Sequence, residues 1–388
     1  LPGPRFTIIE YLLLNLTSCL SAKLIILLTS RLLELILFCN FSLKNLLSDF
    51  KPIKLFLPVQ LIIKKLLIIF LIYIPFKFNL HSSEVDINDF GIIAIMYHRF
   101  EENKYPSTNI KVEDFKKHIE MMRGSDIKFV NPSNFKEELV NNKKERKVLL
   151  TIDDGYQSFY ENAWPILKKR KIPFIIFINT ETIGSNGYMN FSEIKEISKF
   201  DFVHIGNHSH THDYLVDKSD TEIEEDLKKS IKIFKEKLNH ETKFFAYPFG
   251  EYKKSYIKIV KKLGFDYGFG QHSGVMDKTK SKFELPRFPI NEKYGEEKRF
   301  KTILNTLPLP YLKISPEEKY LNPKNNPPNV KVTFFKDGPD IKNINCYSNE
   351  EDKWRKSKIN FISDNEIKIV LEGKFITERG RINCSLRE

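Results

Sequence analysis

The sequence has few cysteines, and none of them forms a C-x-x-C pair. Its 388 residues include 4 cysteines; Cys19 and Cys39 lie in the apolar N-terminal region, and Cys346 and Cys384 lie near the C-terminus. This spacing excludes a zinc knuckle and a dithiol redox motif. Cys346 and Cys384 could form a disulfide in an exported protein, or remain as two buried thiols.

Nucleic-acid-binding motifs are also missing. The chain has no zinc finger, no RNA-recognition motif and no basic helix with interleaved aromatic residues, although its net charge is +12, from 62 Lys and Arg against 50 Asp and Glu. A basic surface can attract nucleic acid, anionic lipid or an acidic glycan. Because the lysines are scattered and no binding motif accompanies them, we expect no nucleic-acid partner and interpret the charge as a solvated basic face.

Long uninterrupted hydrophobic runs are absent as well. Residues 1–84 are rich in Leu and Ile, but no run reaches the roughly 20 apolar residues that a membrane-spanning helix needs. The clearest run, Leu66–Phe76, follows Lys64 and Lys65. A basic pair before a short apolar segment is typical of a signal peptide or anchor. We therefore expect Leu61–Phe76 to direct the chain outside the cytoplasmic membrane, as a cleaved signal or as an uncleaved membrane anchor.

The segment before Leu61 has two interpretations. The first methionine of the chain is Met96. Residues 1–60 could be upstream sequence without an evolved structure, or they could form a membrane-embedded hairpin. We favour the first interpretation, because the apolar runs of this segment lack helix caps and clear turn signals.

Residues 85–307 have the pattern of an α/β domain. The chain is 41% hydrophobic and 29% charged, which is typical of globular proteins. Strand-length apolar segments such as Gly91–Tyr97 alternate with helical patterns such as Val112–Arg123, and Ser219 with Glu222 forms a capping box for a long helix. The alternation predicts parallel strands joined by right-handed crossovers, and six or more such units favour a barrel.

The C-terminal part of the chain has a different composition. Residues 308–328 contain many Pro and Asn and little periodicity, which predicts a linker. Residues 329–388 then contain short strand patterns and predict a small all-β module. The predicted strands of this module are Val330–Phe335, Ile359–Ile362, Glu366–Leu371 and Arg381–Leu386.

Two adjacent carboxylates follow the apolar segment Val148–Ile152. Asp153 and Asp154 stand at the end of this predicted strand, and Gly155 comes next. Sites in α/β folds lie at such strand ends. Neighbouring strand residues point to opposite sides, so one aspartate can bind a metal while the other reaches a water or a substrate. On its own the triplet is also compatible with an ordinary Asp-Gly turn.

Two further strand ends carry polar motifs. The predicted strand Phe202–Ile205 leads to His208 and His212, and imidazoles beside a carboxylate are common ligands of zinc and related ions. We expect His210, between them, to be exposed and not to be a ligand. A third apolar segment ends in the turn Pro248-Phe249-Gly250.

This ordered series, Asp-Asp-Gly, His-Ser-x-x-His and Pro-Phe-Gly, resembles the polysaccharide deacetylase family (NodB-homology, carbohydrate esterase family 4). The resemblance covers roughly Gly91 to Ile290. It implies a distorted (β/α) barrel with fewer than eight repeats, followed here by the small all-β module. It also implies a metal-dependent hydrolase that removes N-acetyl groups from an amino-sugar polymer such as poly-N-acetylglucosamine, peptidoglycan or a chitin-like glycan.

The resemblance also implies roles for individual residues. Asp154, His208 and His212 would bind a divalent metal, expected to be Zn²⁺ with Co²⁺ or Ni²⁺ as alternatives. Asp153 would be the catalytic base. The backbone N–H of Phe249 would help to hold the oxyanion, and we group Tyr247 and Pro248 with it on the substrate side.

The sequence departs from the common family pattern at two places. Many members have an arginine where this chain has Ala246, and many have a late Leu-x-His that is missing after Arg287. Both departures resemble the poly-N-acetylglucosamine deacetylases with permuted motif order, in which an early Tyr-His segment supplies the general acid. His98 would then donate a proton to the leaving amine, and Arg287 would pair with Asp153. The alternative for His98 is a strand-end histidine bonded to backbone.

Other functions remain open at this stage. A glycan-binding protein that lost turnover would explain Ala246 and the added β-module. An O-acetyl esterase or a cyclic amidase could use the same metal site. In each case the expected partner is a glycan or a related small substrate, and the polymer substrates imply an exported protein that acts in the periplasm, in the cell envelope or outside the cell.

Overall fold

The computed structural model describes residues 90–140 and 144–386. These residues belong to a compact unit that extends from Ser83 to Glu388. The predicted signal or anchor Leu61–Phe76 and the segment 1–60 lie outside the described residues. Within the described ranges, no helix is both long enough and apolar enough to cross a membrane.

The first part of this unit is built on one curled, mainly parallel sheet of nine strands. Two short strands, β2 and β3, pair separately with each other. The strands of this part are β1 (Ile92–Tyr97), β2 (Arg99–Phe100), β3 (Asn109–Ile110), β4 (Ile127–Phe129), β5 (Arg146–Asp153), β6 (Phe174–Ile178), β7 (Val203–Asn207), β8 (Phe244–Ala246), β9 (Tyr267–Phe269), β10 (Val275–Met276) and β11 (Phe288–Pro289).

The strand order explains how the sheet becomes an incomplete barrel. The main path is β10-β1-β5-β6-β7-β8-β9, with β11 added beside β1 and β4 beside β5. The neighbours from β1 to β9 along this path are parallel, and only the pairing of β10 with β1 is antiparallel. This curled half-barrel confirms the predicted α/β fold class.

Helices in the crossovers follow the predicted pattern. They are α1 (Val112–Gly124), α2 (Phe135–Val140), α3 (Trp164–Arg170), α4 (Phe191–Ile197), α5 (Asp220–Ile233), α6 (Lys254–Lys262) and α7 (Glu297–Leu304). The α5 helix begins at the capping box predicted from the sequence: the Ser219 side chain accepts from the N–H of Glu222, and the Glu222 carboxylate accepts from the N–H of Ser219. This pair satisfies two backbone donors that the first turn leaves free.

Both faces of the sheet are buried, which explains the continuous apolar runs in its strands. In β5, Leu149 packs in a cluster with Ile175 and Phe177, whereas Val148 and Leu150 pack in a second cluster with the helices. Because successive residues alternate between faces, Asp153 falls on the same face as Leu149. Asp153, the first of the two adjacent carboxylates, therefore lies on this side of the sheet.

The β-module consists of two small antiparallel sheets that share a core. One sheet has the order β12-β13-β17-β16 and the other the order β15-β14-β18. Cys346 and Cys384 face each other in β14 and β18 and form a disulfide. The strands of the module are β12 (Lys313–Ser315), β13 (Val330–Thr333), β14 (Asn345–Glu350), β15 (Lys353–Lys356), β16 (Lys358–Ser363), β17 (Glu366–Val370) and β18 (Ile382–Ser385).

The module differs from the sequence prediction in two respects. Lys313–Ser315, inside the predicted linker, is an edge strand that pairs with β13. The strands β14 and β15 were not predicted, because their sequences NCYSNE and KWRK contain few β-branched or apolar residues. Pairing with neighbouring strands outweighs the weak local β-propensity of these two segments.

Candidate active site

The polar motifs meet at one edge of the curled sheet. Asp153 ends β5, His208 follows β7, and Phe249 lies shortly after β8. Because these strands are parallel members of one sheet, their carboxyl ends open on the same side. His98 follows β1, the neighbour of β5, and reaches the same edge.

Three side chains form a candidate metal site. The ligand atoms of Asp154, His208 and His212 all lie within 4.8 Å of one another. Asp154 Oδ1 is 3.4 Å from His208 Nε2 and 3.3 Å from His212 Nε2. One carboxylate and two imidazoles are a donor set that suits zinc and related divalent ions, and three protein ligands leave positions open for water and substrate.

Unsatisfied polar atoms support a metal at this position. Asp154 Oδ1 and His208 Nε2 are buried and find no hydrogen-bond partner among the described residues. Buried polar atoms without a partner are rare, and each calls for an explanation such as an ion. A divalent cation between these atoms would satisfy both of them, so the residues fit the metal that the motif predicts.

The hydrogen bonds of His208 orient its ring for metal binding. His208 Nδ1 is 2.7 Å from the carbonyl oxygen of Ala246. Because that oxygen only accepts, Nδ1 carries the proton and Nε2 presents its lone pair toward Asp154. Such a bond to the second ring nitrogen fixes the orientation and tautomer of metal-binding histidines. Ala246, which stands where many family members have an arginine, thus contributes through its backbone.

The electrostatics keep Asp154 and His212 in their metal-binding forms. Burial alone would lower the pKa of His208, but the neighbouring carboxylates of Asp154 and Asp153 raise it. Burial alone would raise the pKa of Asp154, but the adjacent His208 and the charges of His98 and His212 hold this pKa well below its usual range. Burial lowers the pKa of His212 to about 4, and the nearby charge of His208 acts in the same direction. At neutral pH the site therefore offers a carboxylate and a neutral imidazole.

Asp153 has a different environment from its neighbour. Its carboxylate accepts two hydrogen bonds from Arg287, at 2.6 Å to Oδ1 and 2.9 Å to Oδ2, and both side chains are fully buried. Arg287 also donates from Nε to the carbonyl oxygen of Gly270. Burial would raise the pKa of Asp153, but the charge of Arg287, followed by those of His208 and His98, lowers it. The structure thus makes the pair that the sequence predicted in place of the missing motif arginine.

His98 lies beside the same carboxylate. Its Nε2 is 3.9 Å from Asp153 Oδ2, which is beyond hydrogen-bond distance but close enough for electrostatic interaction. Within the part of the chain that the structure describes, His98 Nδ1 is buried and has no hydrogen-bond partner. Nδ1 of His98 therefore does not make the backbone hydrogen bond that the alternative interpretation predicts.

Of the turn residues predicted for the substrate side, only Phe249 reaches the cleft. Its side chain is 37% exposed, and its ring centroid lies 4.8 Å from that of His212. Tyr247 is fully buried and donates its hydroxyl to the carbonyl oxygen of Phe283. Pro248 is also buried. We had placed Tyr247 and Pro248 on the substrate side, and we correct this prediction. Their side chains are buried beneath the surface of the turn and do not line the cleft.

The backbone around the metal-ligand set is held in an uncommon conformation. Asp154, Ser209, His212 and Phe249 all have positive φ, between 58° and 75°. Residues other than glycine adopt this left-handed region at a cost of about 1–3 kcal/mol each, and such residues cluster at functional sites. Contacts from outside the motifs must therefore maintain these turns.

The α5 helix supplies some of these contacts, and sequence reasoning missed them. The carboxylate of Asp226 accepts from the N–H groups of His210 and Thr211, at 2.8 and 3.0 Å. Ser230 is fully buried and donates its hydroxyl to the carbonyl oxygen of Ser209. The available signal was a serine on the apolar side of an amphipathic helix, where a hydroxyl needs a polar partner.

The prediction for His210 was wrong in one respect. We expected an exposed side chain, but His210 is buried and its Nδ1 lies 2.8 Å from the Thr180 hydroxyl. It stays outside the metal-ligand set, as predicted. Its ring instead connects the histidine loop to the residues that follow β6.

The chain is similar to known polysaccharide deacetylases. The family model described as polysaccharide deacetylase matches residues 140–268. A poly-beta-1,6-N-acetyl-D-glucosamine N-deacetylase of Staphylococcus aureus is 30% identical over 203 residues, which cover 47% of this chain and 68% of that protein. The protein of the same name from Staphylococcus epidermidis is 29% identical over 224 residues, which cover 53% of this chain and 74% of that protein.

Solved structures give the same result for the fold. IcaB from Ammonifex degensii matches with a TM-score of 0.51 and 25% identity, over 56% of this chain and 98% of that one. The Streptococcus pyogenes deacetylase PplD, solved in complex with acetate, matches with a TM-score of 0.51 and 23% identity, over 56% of this chain and all of that one. The sequence matches and the shared fold together confirm the predicted family, and the chain belongs to the polysaccharide deacetylases, a family of hydrolases that remove acetyl groups.

Proposed function

We propose that this protein removes N-acetyl groups from an N-acetylglucosamine polymer of the β-1,6-linked type. The observation that carries the proposal is the metal-ligand set Asp154, His208 and His212 directly beside an ionised Asp153. The names of the staphylococcal relatives support this substrate. Peptidoglycan and chitin-like glycans are the alternatives within the same chemistry.

The metal would supply the electrophilic part of the reaction. Asp154, His208 and His212 would hold a divalent ion, with Zn²⁺ first and Co²⁺ or Ni²⁺ as alternatives. Such an ion would polarise the acetyl carbonyl and lower the pKa of a water. The protein residues then position the substrate and move the protons.

Asp153 is the proposed general base. Its pKa is lowered chiefly by Arg287 against the effect of burial, so the carboxylate is ionised and able to accept a proton from the attacking water. Arg287 holds both carboxylate oxygens and thereby fixes their orientation. The N–H of Phe249, at the edge of the cleft, is the proposed donor to the oxygen that becomes negative during attack.

His98 is the proposed general acid. It lies beside Asp153 and is 13% exposed, which leaves it accessible to a substrate in the cleft. A protonated His98 would donate to the nitrogen of the leaving amino sugar as the C–N bond breaks.

Acetate release tests the proposed reaction. The purified protein should release acetate from N-acetylglucosamine oligomers, and a chelator should stop the release until zinc is added. Asp153→Asn should keep its metal, measured by atomic absorption, and lose nearly all activity. An Asp153→Asn protein with full activity would refute the role of the base.

A glycan-binding protein without turnover is the second candidate. Its support in the sequence was Ala246 in place of an arginine, together with the added β-module. Because Arg287, just before β11, supplies a guanidinium to Asp153, we favour the enzyme. A panel that includes O-acetylated sugars and cyclic amides, with acetate and ammonia as readouts, separates the remaining substrate classes. Binding without release of either product would favour the second candidate.

We also propose that the enzyme acts outside the cytoplasmic membrane. The disulfide between Cys346 and Cys384 supports an oxidising compartment, and Lys64 and Lys65 before Leu66–Phe76 support export. A version of the protein that begins at Leu61, with a methionine supplied, should be exported like the full chain. If only the full chain is exported, residues 1–60 carry the targeting information.

A further inference from the structure

A loop of the β-module lies against the rim of the metal site. Arg379, between β17 and β18, donates from Nη2 to the carbonyl oxygen of Phe249 and pairs through Nε with Glu251 at 2.8 Å. The Tyr214 hydroxyl donates to the carbonyl oxygen of Glu378 at 3.4 Å. A segment about 130 residues further along the chain therefore touches the turn that carries the oxyanion donor.

The contact is partly withdrawn from water. Burial lowers the pKa of Arg379, and the charge of Glu251 opposes this effect. Burial raises the pKa of Glu251, and the charges of Arg379 and Arg381 oppose that effect. Arg381 thus stands close to the same pair. The Arg379–Glu251 pair and the contact of Arg379 with the carbonyl oxygen of Phe249 join the loop to the rim.

A pocket of about 550 Å³ lies between the rim and the module. Two aromatic side chains of the rim, Tyr214 and Phe249, form part of its wall. The module contributes Asn349, Asp352, Thr377 and Arg381. This volume lies within the range of small-molecule sites, which combine apolar walls with a few polar groups.

The chemistry of the pocket fits a sugar. An aromatic ring can cover the C–H face of a pyranose, whereas amide, carboxylate, hydroxyl and guanidinium groups can bond its hydroxyls. Phe249 belongs to both places, because its ring packs 4.8 Å from the ring of the metal ligand His212. A glycan that occupies both places must therefore contain more than one sugar.

We propose that the β-module forms a saccharide subsite beside the catalytic centre, which binds a sugar of the same polymer next to the one that loses its acetyl group. This inference rests on the proposed function and extends it to the way the polymer is held. The solved IcaB structure is matched over 98% of its length by only 56% of this chain, so much of the present chain has no counterpart there. The subsite would be a feature of the longer chain.

The test removes two pocket side chains that lie away from the metal. Asp352→Gly with Arg381→Ala removes the carboxylate and the guanidinium, and glycine accepts the positive φ of Asp352. Arg381→Ala alone serves as a second variant if the double variant folds poorly. Lys358→Ala, an exposed charge in β16 that does not line the pocket, is the matched control.

Two measurements on the full chain give the result. Calorimetry in chelator, where turnover is stopped, should show that a β-1,6-linked N-acetylglucosamine hexasaccharide binds roughly tenfold more weakly to the double variant, with the control unchanged. With zinc, kcat/KM should fall by a similar factor for the hexasaccharide and much less for the disaccharide.

The possible outcomes distinguish the proposed subsite from the proposed deacetylation reaction. Wild-type affinity of the pocket variants for the hexasaccharide would overturn the subsite. Weaker binding of the variants without acetate release by the wild-type protein would support the subsite and overturn the proposed reaction. A wild-type protein that does not bind the hexasaccharide would overturn both.

Discussion

Two arginine–carboxylate pairs border the same cleft, one inside the barrel and one between the barrel and the β-module. Arg287 and Asp153 are fully buried and joined by two hydrogen bonds, whereas Arg379 and Glu251 are 27% and 33% exposed. The pKa of Asp153 is lowered, but the pKa of Glu251 is raised. In the barrel the charges of Arg287, His208 and His98 together outweigh burial, whereas at the module the charges of Arg379 and Arg381 do not.

This difference separates two tasks. The inner pair keeps a carboxylate ionised in a place without water, which a general base requires. The outer pair, Arg379 and Glu251, holds a loop of the β-module against the turn that contains Phe249. Separation of this pair would expose both side chains to water. Removing one member of a fully buried pair leaves an uncompensated charge, which is costly, whereas solvent reduces the cost at a partly exposed pair.

The largest effect is expected from Arg287→Ala. The variant leaves the Asp153 carboxylate buried without its partner, so the free energy of unfolding should fall by about 3–5 kcal/mol. Urea unfolding measures this change, and acetate release should be lost. Arg287→Lys is the control, since it keeps the charge but not the two-point contact. A loss below 1 kcal/mol would show that water reaches Asp153.

The second largest change in stability is expected from removal of the disulfide. This experiment compares the stability of the module with that of the barrel. Cys346→Ser with Cys384→Ser opens a loop of 38 residues, which should destabilise the module by about 3–4 kcal/mol. The chain has 2 tryptophans, Trp164 in α3 and Trp354 in β15. Single-tryptophan variants, Trp354→Phe and Trp164→Phe, therefore follow the barrel and the module separately during urea unfolding.

We expect the midpoint reported by Trp354 to fall much more than the one reported by Trp164. Equal shifts of both midpoints would mean that barrel and module unfold together. Intact-mass measurement after alkylation without reductant shows whether the bridge is present in the exported protein.

The pH dependence of stability should have opposite signs for the two carboxylates. Asp153 has a lowered pKa, so its stabilising contribution is present above the unfolded-state pKa and disappears as pH falls through the folded-state value. Glu251 has a raised pKa, so the folded state favours its protonated form, and stability is lost as pH rises through that value.

Urea unfolding at about pH 3 and about pH 7 checks these signs, because the Asp153 contribution changes mainly below its unfolded-state pKa of about 3.9. The stability of the wild-type protein relative to Asp153→Asn should rise between the two pH values. Relative to Glu251→Gln it should fall. Slopes of the same sign would mean that Glu251 is as well compensated as Asp153.

The smallest change in stability is expected from Arg379→Ala. The pair with Glu251 is partly exposed, so the free energy of unfolding should fall by about 1 kcal/mol or less. Because Arg379 holds the carbonyl oxygen of Phe249, kcat should fall by roughly tenfold while zinc affinity stays unchanged. Arg355→Ala, which removes an ion pair with Glu351 elsewhere in the module, is the control. An unchanged kcat would exclude a positioning role for Arg379.

Local motifs carried most of the site prediction. Asp154, His208 and His212 follow apolar strands, and the ends of parallel strands converge whatever the details of the sheet. We predicted the pairing of Arg287 with Asp153 because this chain has Ala246 where many family members have an arginine. These inferences needed only strand ends and the family pattern, and the structure brings the residues together as expected.

Contacts between distant segments were not predictable in the same way. Nothing near Arg379 in the sequence indicates Phe249, 130 residues earlier. The supports from Asp226 and Ser230 depend on which face α5 turns toward the histidine loop. In β14 and β15, strand formation depends on partners rather than on local residue preference. Each of these features depends on how separate helices, strands and loops pack together. A residue pattern along the chain carries no information about that packing.

The left-handed residues at the cleft also limit how this enzyme can be engineered. Ser209 and Phe249 are natural targets for a glycine substitution, because glycine adopts positive φ without steric cost. Such changes would relax the turns that hold the proposed metal ligands and the proposed oxyanion donor, and Phe249→Gly would also remove a wall of the cleft. Thermostabilising this deacetylase therefore has to begin at surfaces away from the cleft, since gains made at these turns would be exchanged for catalysis.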